Sequence, residues 1–224
     1  DAIEIMVDRK VDGLILTPAS KERIEIVDRL ITTRFPLLQL FNHVYPELDT
    51  LLFDDERGTN LAVKNLIQCG HEKIMLLSRR SRHNRAAGYR KAFDEMGLSF
   101  IPDMIKEYAY DNSVKEMIKQ HITAMKPTAI ISVSEGISVC TIQALKELNL
   151  GFPEDMSLVA YDDFPWLAAS GISAVSHPFE SLGKLASQLI LNRVAEYPQT
   201  RGGEPVTLVL DPMLVTRDSI KVLR

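Results

Sequence analysis

The chain has 224 residues, 46% of them hydrophobic, which is enough to build buried cores in one α/β domain or in two smaller lobes. Its formal net charge is −4, whereas a free-standing nucleic-acid-binding module is usually basic, so this stretch is not expected to hold DNA by itself. No apolar run approaches the roughly 20 residues that cross a bilayer, and no signal peptide is visible. These features favour a cytoplasmic protein with no membrane partner.

Apolar runs alternate with amphipathic stretches along nearly the whole chain, so strands and helices are predicted in alternation. In chain order the predicted elements are a helix at 2–10, a strand at 13–18, a helix at 21–33, strands at 35–41 and 50–55, a helix at 58–70, a strand at 73–78, a helix at 86–97, a strand at 105–110, a helix at 113–125, a strand at 129–133, a helix through 139–148, strands at 157–161 and 174–178, a helix at 180–196 and a last strand at 206–219. Residues 164–173 read as irregular. This alternation predicts an α/β fold with parallel sheets flanked by helices.

Polar side chains follow two of the predicted strands at the points where those strands end. Ser134 and Glu135 follow the strand at 129–133, and the pair Asp162 and Asp163 follows the strand after the next helix. Ligands bind just beyond the carboxyl ends of strands in parallel sheets, so these side chains are expected at a binding mouth. Of the two aspartates, the second is expected to cap the following turn.

Six segments together resemble the effector-binding core of the LacI/GalR family of bacterial transcription regulators. The segments are VDGLILTP at 11–18, RGTNLAVKNLIQCGHEKI at 57–74, RAAGYRKAFDEMGL at 85–98, PTAIISVSEGISVCTIQALKELNL at 127–150, PEDMSLVAYDD at 153–163 and LVLDPMLVTRDS at 208–219. They cover nearly the whole chain in the order that the family has them, and their combination is specific although any one alone would be weak.

The resemblance implies a two-lobed fold of the periplasmic-binding-protein type (type I), with a small effector bound in the cleft between the lobes. The chain would cross between lobes near residues 54–56, 177–178 and 200–204. The N-terminal lobe would then comprise 1–54 with 178–200, and the C-terminal lobe 55–177 with 201–224. Effector binding would shift the lobes and thereby change the affinity for operator DNA.

Members of the family begin with a helix-turn-helix and a hinge, followed by a full strand–helix–strand before the equivalent of Val11. These parts are absent here, so we expect the sequence to be a fragment whose N-terminal lobe is incomplete. Operator DNA would be contacted only through that missing N-terminal helix-turn-helix. The lost strand would be central to its sheet, and its flanking strands would become exposed edges.

Three polar residues are effector contacts that the resemblance implies. Arg85 precedes the AAGY helix start, where relatives place an arginine whose planar fork binds effector hydroxyls or a carboxylate. Asp162 matches an aspartate that accepts hydrogen bonds from sugar hydroxyls. Ser134 stands where relatives often carry asparagine, and it is expected either to contact the effector or to cap the following helix.

Two aromatic and two further polar residues complete the predicted site. Phe53 and Tyr110 fall where the family lines the cleft with rings that stack on sugar C–H faces, although core packing explains them equally well. Thr17 and Asn42 end strands of the first lobe and are weaker candidates. The arginine-rich loop at 79–85 suits an anionic effector such as a sugar phosphate, or it is simply a solvated basic loop.

The favoured function is therefore that of a sugar-sensing transcription regulator, acting as a homodimer on palindromic operator DNA. The alternative is an exported sugar-binding receptor of a transport system, which shares the fold and differs in its N-terminal segment. An enzyme is not favoured, because the sequence has no GxGxxG or Walker-type loop and no nucleophile elbow. No cofactor is expected, and the histidines and cysteines show no metal-ligand spacing.

Overall fold

The computed structural model describes residues 2–18, 22–79, 83–108, 113–197 and 204–223. Within these ranges helices and strands mostly alternate; the exceptions are two pairs of consecutive strands and one short 3₁₀ turn at Pro102–Met104. The elements are α1 (Ala2–Asp8), β1 (Leu14–Leu16), α2 (Glu25–Thr32), β2 (Leu37–Leu40), β3 (Asp49–Phe53), α3 (Asp55–Gln68), β4 (Ile74–Arg79), α4 (His83–Glu95), β5 (Ile105–Tyr108), α5 (Val114–Met125), β6 (Ala129–Ser132), α6 (Glu135–Glu147), β7 (Ser157–Tyr161), α7 (Pro165–Ala169), β8 (Ser173–Ser176), α8 (Phe179–Glu196), β9 (Thr207–Leu210) and β10 (Met213–Val215). The predicted α/β class is confirmed.

The chain divides into two compact units, each made of two separate segments. The first unit comprises residues 1–53 with 178–210, and the second comprises residues 54–177 with 211–224. Residues 204–210 therefore belong with the first unit, whereas the sequence placed them with the second lobe. The reason is that β9 pairs with β3 in parallel, with Leu51 opposite Leu208.

The first unit contains a four-stranded parallel sheet in the order β1-β2-β3-β9. Its two faces are covered by different helices: Val27 and Leu30 of α2 pack on one face, and Leu182 and Ala186 of α8 pack on the other. Asp49, which is 3% exposed, ties three parts of the unit together. Its carboxylate accepts hydrogen bonds from the Arg193 guanidinium of α8 at 2.7 and 2.8 Å and from the backbone N–H of Val206 at 2.8 Å.

The second unit contains a six-stranded sheet in the order β10-β8-β7-β6-β4-β5. All neighbours are parallel except β10 and β8, which are antiparallel. Alternate residues of the inner strands enter separate apolar clusters on the two faces; Ile130 packs on the side of α5 and α6, and Ile131 on the side of α3 and α4. Strands buried on both faces account for the continuous apolar runs in the sequence.

The structure corrects the last predicted strand, which was assigned to 206–219 as one element. It is divided into β9 and β10, which belong to different sheets. Asp211 and Pro212 lie between them, and proline has no N–H to donate to a strand ladder. The stretch predicted as irregular also contains α7, whose first residue is Pro165 at a position where proline is favoured.

The tyrosine of the RAAGY motif, Tyr89, has a structural role in α4. Tyr89 is fully buried, and its hydroxyl donates a 2.8 Å hydrogen bond to the carbonyl oxygen of Ile74 in β4. Burial raises the pKa of Tyr89 strongly, so the hydroxyl stays protonated and remains a donor. This contact fixes the helix against the sheet.

We expect the Tyr89→Phe variant to lose about 1 kcal/mol of unfolding free energy, the usual net value of one internal hydrogen bond. Urea denaturation measures the change through a lower midpoint. Tyr197→Phe is the matched control, because that ring is 44% exposed and its substitution should leave the midpoint unaltered. A Tyr89→Phe midpoint equal to that of the unsubstituted chain would show that the hydrogen bond does not stabilise the fold.

Candidate ligand-binding site

Five side chains of the second unit meet at the carboxyl ends of its central strands. This strand-end cluster consists of Asp55, Arg85, Tyr161, Asp162 and His177. Tyr161 ends β7, Asp162 follows it, and His177 follows β8, which is the parallel neighbour of β7. Parallel neighbours end at the same edge of a sheet, so their terminal side chains are brought together.

Arg85 is almost completely enclosed by the cluster, with 5% of its surface exposed. Its Nη1 donates to the carbonyl oxygen of Val133, directly after β6, and its Nη2 lies 3.1 Å from a carboxylate oxygen of Asp55. The guanidinium carbon lies 4.3 Å from the centre of the Tyr161 ring, which is close enough for a cation–π contact. Its buried Nε makes no hydrogen bond to the described residues.

The Tyr161 ring forms the floor beneath this arginine. It is fully buried, its hydroxyl is hydrogen-bonded to the Thr59 hydroxyl, and it also lies 3.3 Å from the backbone carbonyl of Asp55. Gly58 allows the approach of α3, because an added Cβ would lie 3.0 Å from Val175 and 3.2 Å from the tyrosine hydroxyl. Burial raises the pKa of Tyr161 strongly, so the ring remains neutral.

His177 connects the two carboxylates of the cluster. Its Nδ1 lies 2.7 Å from an oxygen of Asp162, and its Nε2 lies 3.5 Å from an oxygen of Asp55. Burial opposes the charged form of the imidazole, but the hydrogen bond to Asp162 and the nearby carboxylate of Asp55 outweigh it, so the pKa of His177 lies above its ordinary value. At 3.5 Å, Nε2 forms a charge contact with Asp55 rather than a regular hydrogen bond. A continuous chain of polar contacts therefore runs from Arg85 through Asp55 and His177 to Asp162.

Ser134 caps α6, which is one of the two roles predicted for it. Its backbone is extended, and its hydroxyl oxygen accepts a 3.3 Å hydrogen bond from the N–H of Ile137. Asp163 does not act as the expected turn cap; its carboxylate pairs with Arg217 at 2.7 Å. The neighbouring aspartates therefore face different partners, and only Asp162 belongs to the strand-end cluster.

Three predicted residues lie in the first unit, at the carboxyl-terminal edge of its own sheet. Thr17 is exposed just after β1, and Asn42 donates a 2.7 Å hydrogen bond to the carbonyl oxygen of Pro18. Phe53 ends β3 and packs against the rings of Phe41 and Phe179, with centroids 5.5 and 5.2 Å away. This is the core-packing alternative for Phe53, although its ring is only half-buried.

Tyr110 lies outside the described residues, and so does the centre of the arginine-rich loop at 80–82. Among the residues that the structure describes, no group of three or more histidine, cysteine, aspartate or glutamate side chains is arranged to hold a metal ion. None of the described helices is long and apolar enough to span a membrane.

The sequence reasoning missed Asp55 and His177, which join the predicted residues to one another. Asp55 was read as the end of a strand, whereas it is the first residue of α3, next to the capping Asp54. His177 was assessed in the sequence only for metal-ligand spacing, which it lacks, and for a lobe crossing at 177–178. The signal that would have found it is its place directly after a buried strand, next to the strand that Asp162 follows.

The comparisons with known proteins agree with this architecture. Residues 63–220 match the family of periplasmic binding protein-like domains, and the chain belongs to this family. It is 29% identical over 235 residues to the ribose operon repressor of Haemophilus influenzae, an alignment that covers 99% of this chain and 68% of that protein. It is 25% identical to the transcriptional repressor PurR of Vibrio campbellii, with 100% and 68% of the two chains covered.

Solved structures give the same result for the fold. A LacI family regulator from Enterococcus faecium with bound ribose matches with a TM-score of 0.83 at 21% identity, covering 98% of this chain and 83% of that one. The regulator CcpA of Lactococcus lactis matches with a TM-score of 0.82 at 19% identity, covering 98% and 82%. The resemblance to LacI/GalR effector-binding cores is confirmed by the family match together with the relatives, both of which are named as repressors.

Proposed function

We propose that this chain is the effector-binding part of a transcription regulator that senses a sugar, with Arg85 and Asp162 as its principal ligand contacts. Operator DNA would be bound through an N-terminal helix-turn-helix outside this sequence, by a homodimer in the cytoplasm. The relatives named as repressors support the regulator, and the first of them and the ribose-bound neighbour make ribose the first effector to test.

The observation that carries the proposal is the strand-end cluster itself. It places a guanidinium donor and a partly exposed carboxylate acceptor at the carboxyl edge of a parallel sheet, the usual position of ligands in such folds. A sugar hydroxyl both donates and accepts hydrogen bonds, so it suits a site that offers both kinds of group. Ser134 is half-buried at the same edge and completes the candidate contacts in this unit.

The charge balance of the cluster favours a neutral effector over an anionic one. Arg85 is already paired with Asp55, and Asp162 adds a second negative charge that a protonated His177 offsets. Since two cationic groups already balance the two carboxylates, the cluster has no excess positive charge to compensate the lost hydration of a phosphate or carboxylate. A sugar without an ionised group meets no such penalty, so we favour a neutral pentose over its phosphate.

Phe53, Thr17 and Asn42 are also proposed as effector contacts, on the strength of the resemblance. The half-buried ring of Phe53 offers an apolar face for sugar C–H groups. Tyr110 is proposed for the same stacking role on the strength of the resemblance. Substituting Phe53 and Tyr110 with leucine, separately, would show whether each aromatic face matters to ribose affinity.

Calorimetric titration of the chain with ribose and ribose 5-phosphate tests the proposal. We expect ribose to bind and its phosphate to bind more weakly. Asp162→Asn should weaken ribose binding by about tenfold or more, since hydrogen bonds to a charged group contribute roughly 1.5–3 kcal/mol. Asp163→Asn is the matched control, because this neighbouring carboxylate pairs with Arg217, and the variant should retain its affinity for ribose.

Two outcomes would contradict the proposal. Equal or tighter binding of the phosphate would restore the anionic effector that the arginine-rich loop suggested. Ribose binding that Asp162→Asn leaves unaltered would place the sugar elsewhere in the molecule.

A further inference from the structure

His177 occupies an unusual position for a buried histidine, because both of its ring nitrogens face carboxylates. Asp162 approaches Nδ1 from the end of β7, and Asp55 approaches Nε2 from the start of α3. Arg85 of α4 faces it indirectly through Asp55, and the neutral Tyr161 ring lies 5.9 Å away between centroids. The His177 side chain is 1% exposed and is thus shielded from solvent.

His71 shows how a buried histidine of the same unit behaves among neutral partners. Its ring nitrogens contact the hydroxyls of Thr128 and Ser157 and the carbonyl oxygen of Lys221. Burial lowers the pKa of His71 despite the backbone hydrogen bond, so it favours the neutral form. The two histidines therefore differ in the charge of what surrounds them, not in their degree of enclosure.

A neutral imidazole cannot satisfy both carboxylates, since it has only one N–H. The protonated ring has two donors: Nδ1 is hydrogen-bonded to Asp162 at 2.7 Å, and Nε2 faces Asp55 at 3.5 Å, a distance that a small movement would close to a hydrogen bond. Asp55 in turn holds the guanidinium of Arg85. The protonation of one ring therefore affects both residues that were assigned to the effector.

We propose that His177 is a positioning residue whose protonated ring clamps Asp162 and Asp55, and that this clamp holds Arg85 and Asp162 in the arrangement that receives the effector. The effector step of this inference depends on the proposed function, whereas the clamp itself does not. The consequence is that effector affinity falls as the pH rises through the titration of His177. The protein would then sense acidity together with its sugar.

The sign of the effect on stability follows from linkage. The pKa of His177 is raised in the folded chain, so its contribution is fully present below the ordinary histidine pKa of about 6.5 and is lost as the pH rises through the raised value. His71 has the opposite sign, because its pKa is lowered and its contribution is lost as the pH falls.

An NMR titration of the histidine side chains in the 224-residue chain tests the clamp without any ligand. We expect His177 to titrate above the ordinary value and His71 below it, with Asp162→Asn lowering the titration point of His177 and leaving that of His71 unaltered. A His177 that titrates at or below the ordinary value, or that ignores Asp162→Asn, overturns the clamp.

Ribose titrations across the same pH range test the consequence, with His177→Gln and His177→Ala beside the unsubstituted chain. Above the titration point of His177 in the unsubstituted chain, we expect ribose affinity to fall by no more than roughly tenfold per pH unit. In both variants we expect ribose affinity to be independent of pH over this range. The glutamine variant, which retains one donor, should bind more tightly than the alanine variant. An equal pH dependence in the unsubstituted chain and His177→Gln overturns the positioning role.

A failure of the proposed ribose effector can be distinguished from a failure of the inference about His177. If ribose fails to bind the unsubstituted chain at every pH, the proposed ribose effector is wrong, and the NMR titration alone decides the clamp. If ribose binds with a pH dependence that His177→Gln does not remove, the effector proposal stands and the inference about His177 is wrong.

Discussion

The Gly88→Ala variant should lose about 3 kcal/mol or more of folding stability in the second unit. Gly88 lies in α4 where this helix passes closest to α3, and an added Cβ would overlap the backbone of Glu56, with the carbonyl carbon 2.8 Å away. The obstacle is backbone rather than the end of a flexible side chain, so no rotamer change relieves it. One of the two helices must move, and both pack on the same apolar face of the sheet.

Soluble yield, circular dichroism and a urea midpoint together measure this loss. Gly183→Ala is the matched control, because Gly183 also lies inside a helix but an added Cβ there has nothing within 4 Å. That variant should gain up to about 1 kcal/mol, since alanine is the better helix former. A Gly88→Ala chain with an unaltered midpoint would mean that the two helices separate easily.

The Arg85→Ala variant should lose about 3 kcal/mol of stability and also its measurable affinity for ribose. The substitution leaves Asp55, whose side chain is 13% exposed, without its guanidinium partner in the interior. It also uncovers the Tyr161 ring and removes the donor to the carbonyl of Val133. Breaking this ion pair is costly because the carboxylate of Asp55 stays shielded from solvent, and its 3.5 Å contact with His177 does not replace the guanidinium.

Two control variants distinguish the loss of the buried Arg85–Asp55 ion pair from the loss of any positive charge. Arg85→Lys keeps the positive charge but loses the planar fork. Its stability and ribose affinity should therefore lie between those of the unsubstituted chain and those of Arg85→Ala. Arg23→Ala removes a guanidinium that pairs with Asp28 and Glu47 on an exposed surface, and it should alter neither property measurably. Equal losses from Arg23→Ala and Arg85→Ala would refute the argument from burial.

Most of the fold was predictable because its elements have strong local patterns. The strand at 129–133 and the helix after it were found from a continuous apolar run followed by apolar residues at helical spacing. Those runs exist because the strand is covered on both faces, as Ile130 and Ile131 show by entering opposite clusters. The same reasoning failed at Pro212, where two short strands of different sheets are consecutive in sequence and merge into one pattern.

The candidate site was predictable only in part. Position at a strand end identified Asp162, and the resemblance identified Arg85, because both criteria operate on residues close to a recognisable motif. Asp55 and His177 depend on which strands become neighbours, and that information is not local. For Ser134 the sequence offered a helix cap and a ligand contact, and the hydrogen bond from Ile137 shows the cap, while the ligand contact stays a proposal.

The two residues Asp211 and Pro212 separate the edge strand of one sheet from the edge strand of the other. A chain that ends at residue 206 contains neither β9 nor β10, so each of the two sheets lacks one edge strand. A premature stop at that point would damage the two units together rather than one of them. Completion of both sheets therefore depends on the same short C-terminal segment, residues 207–215.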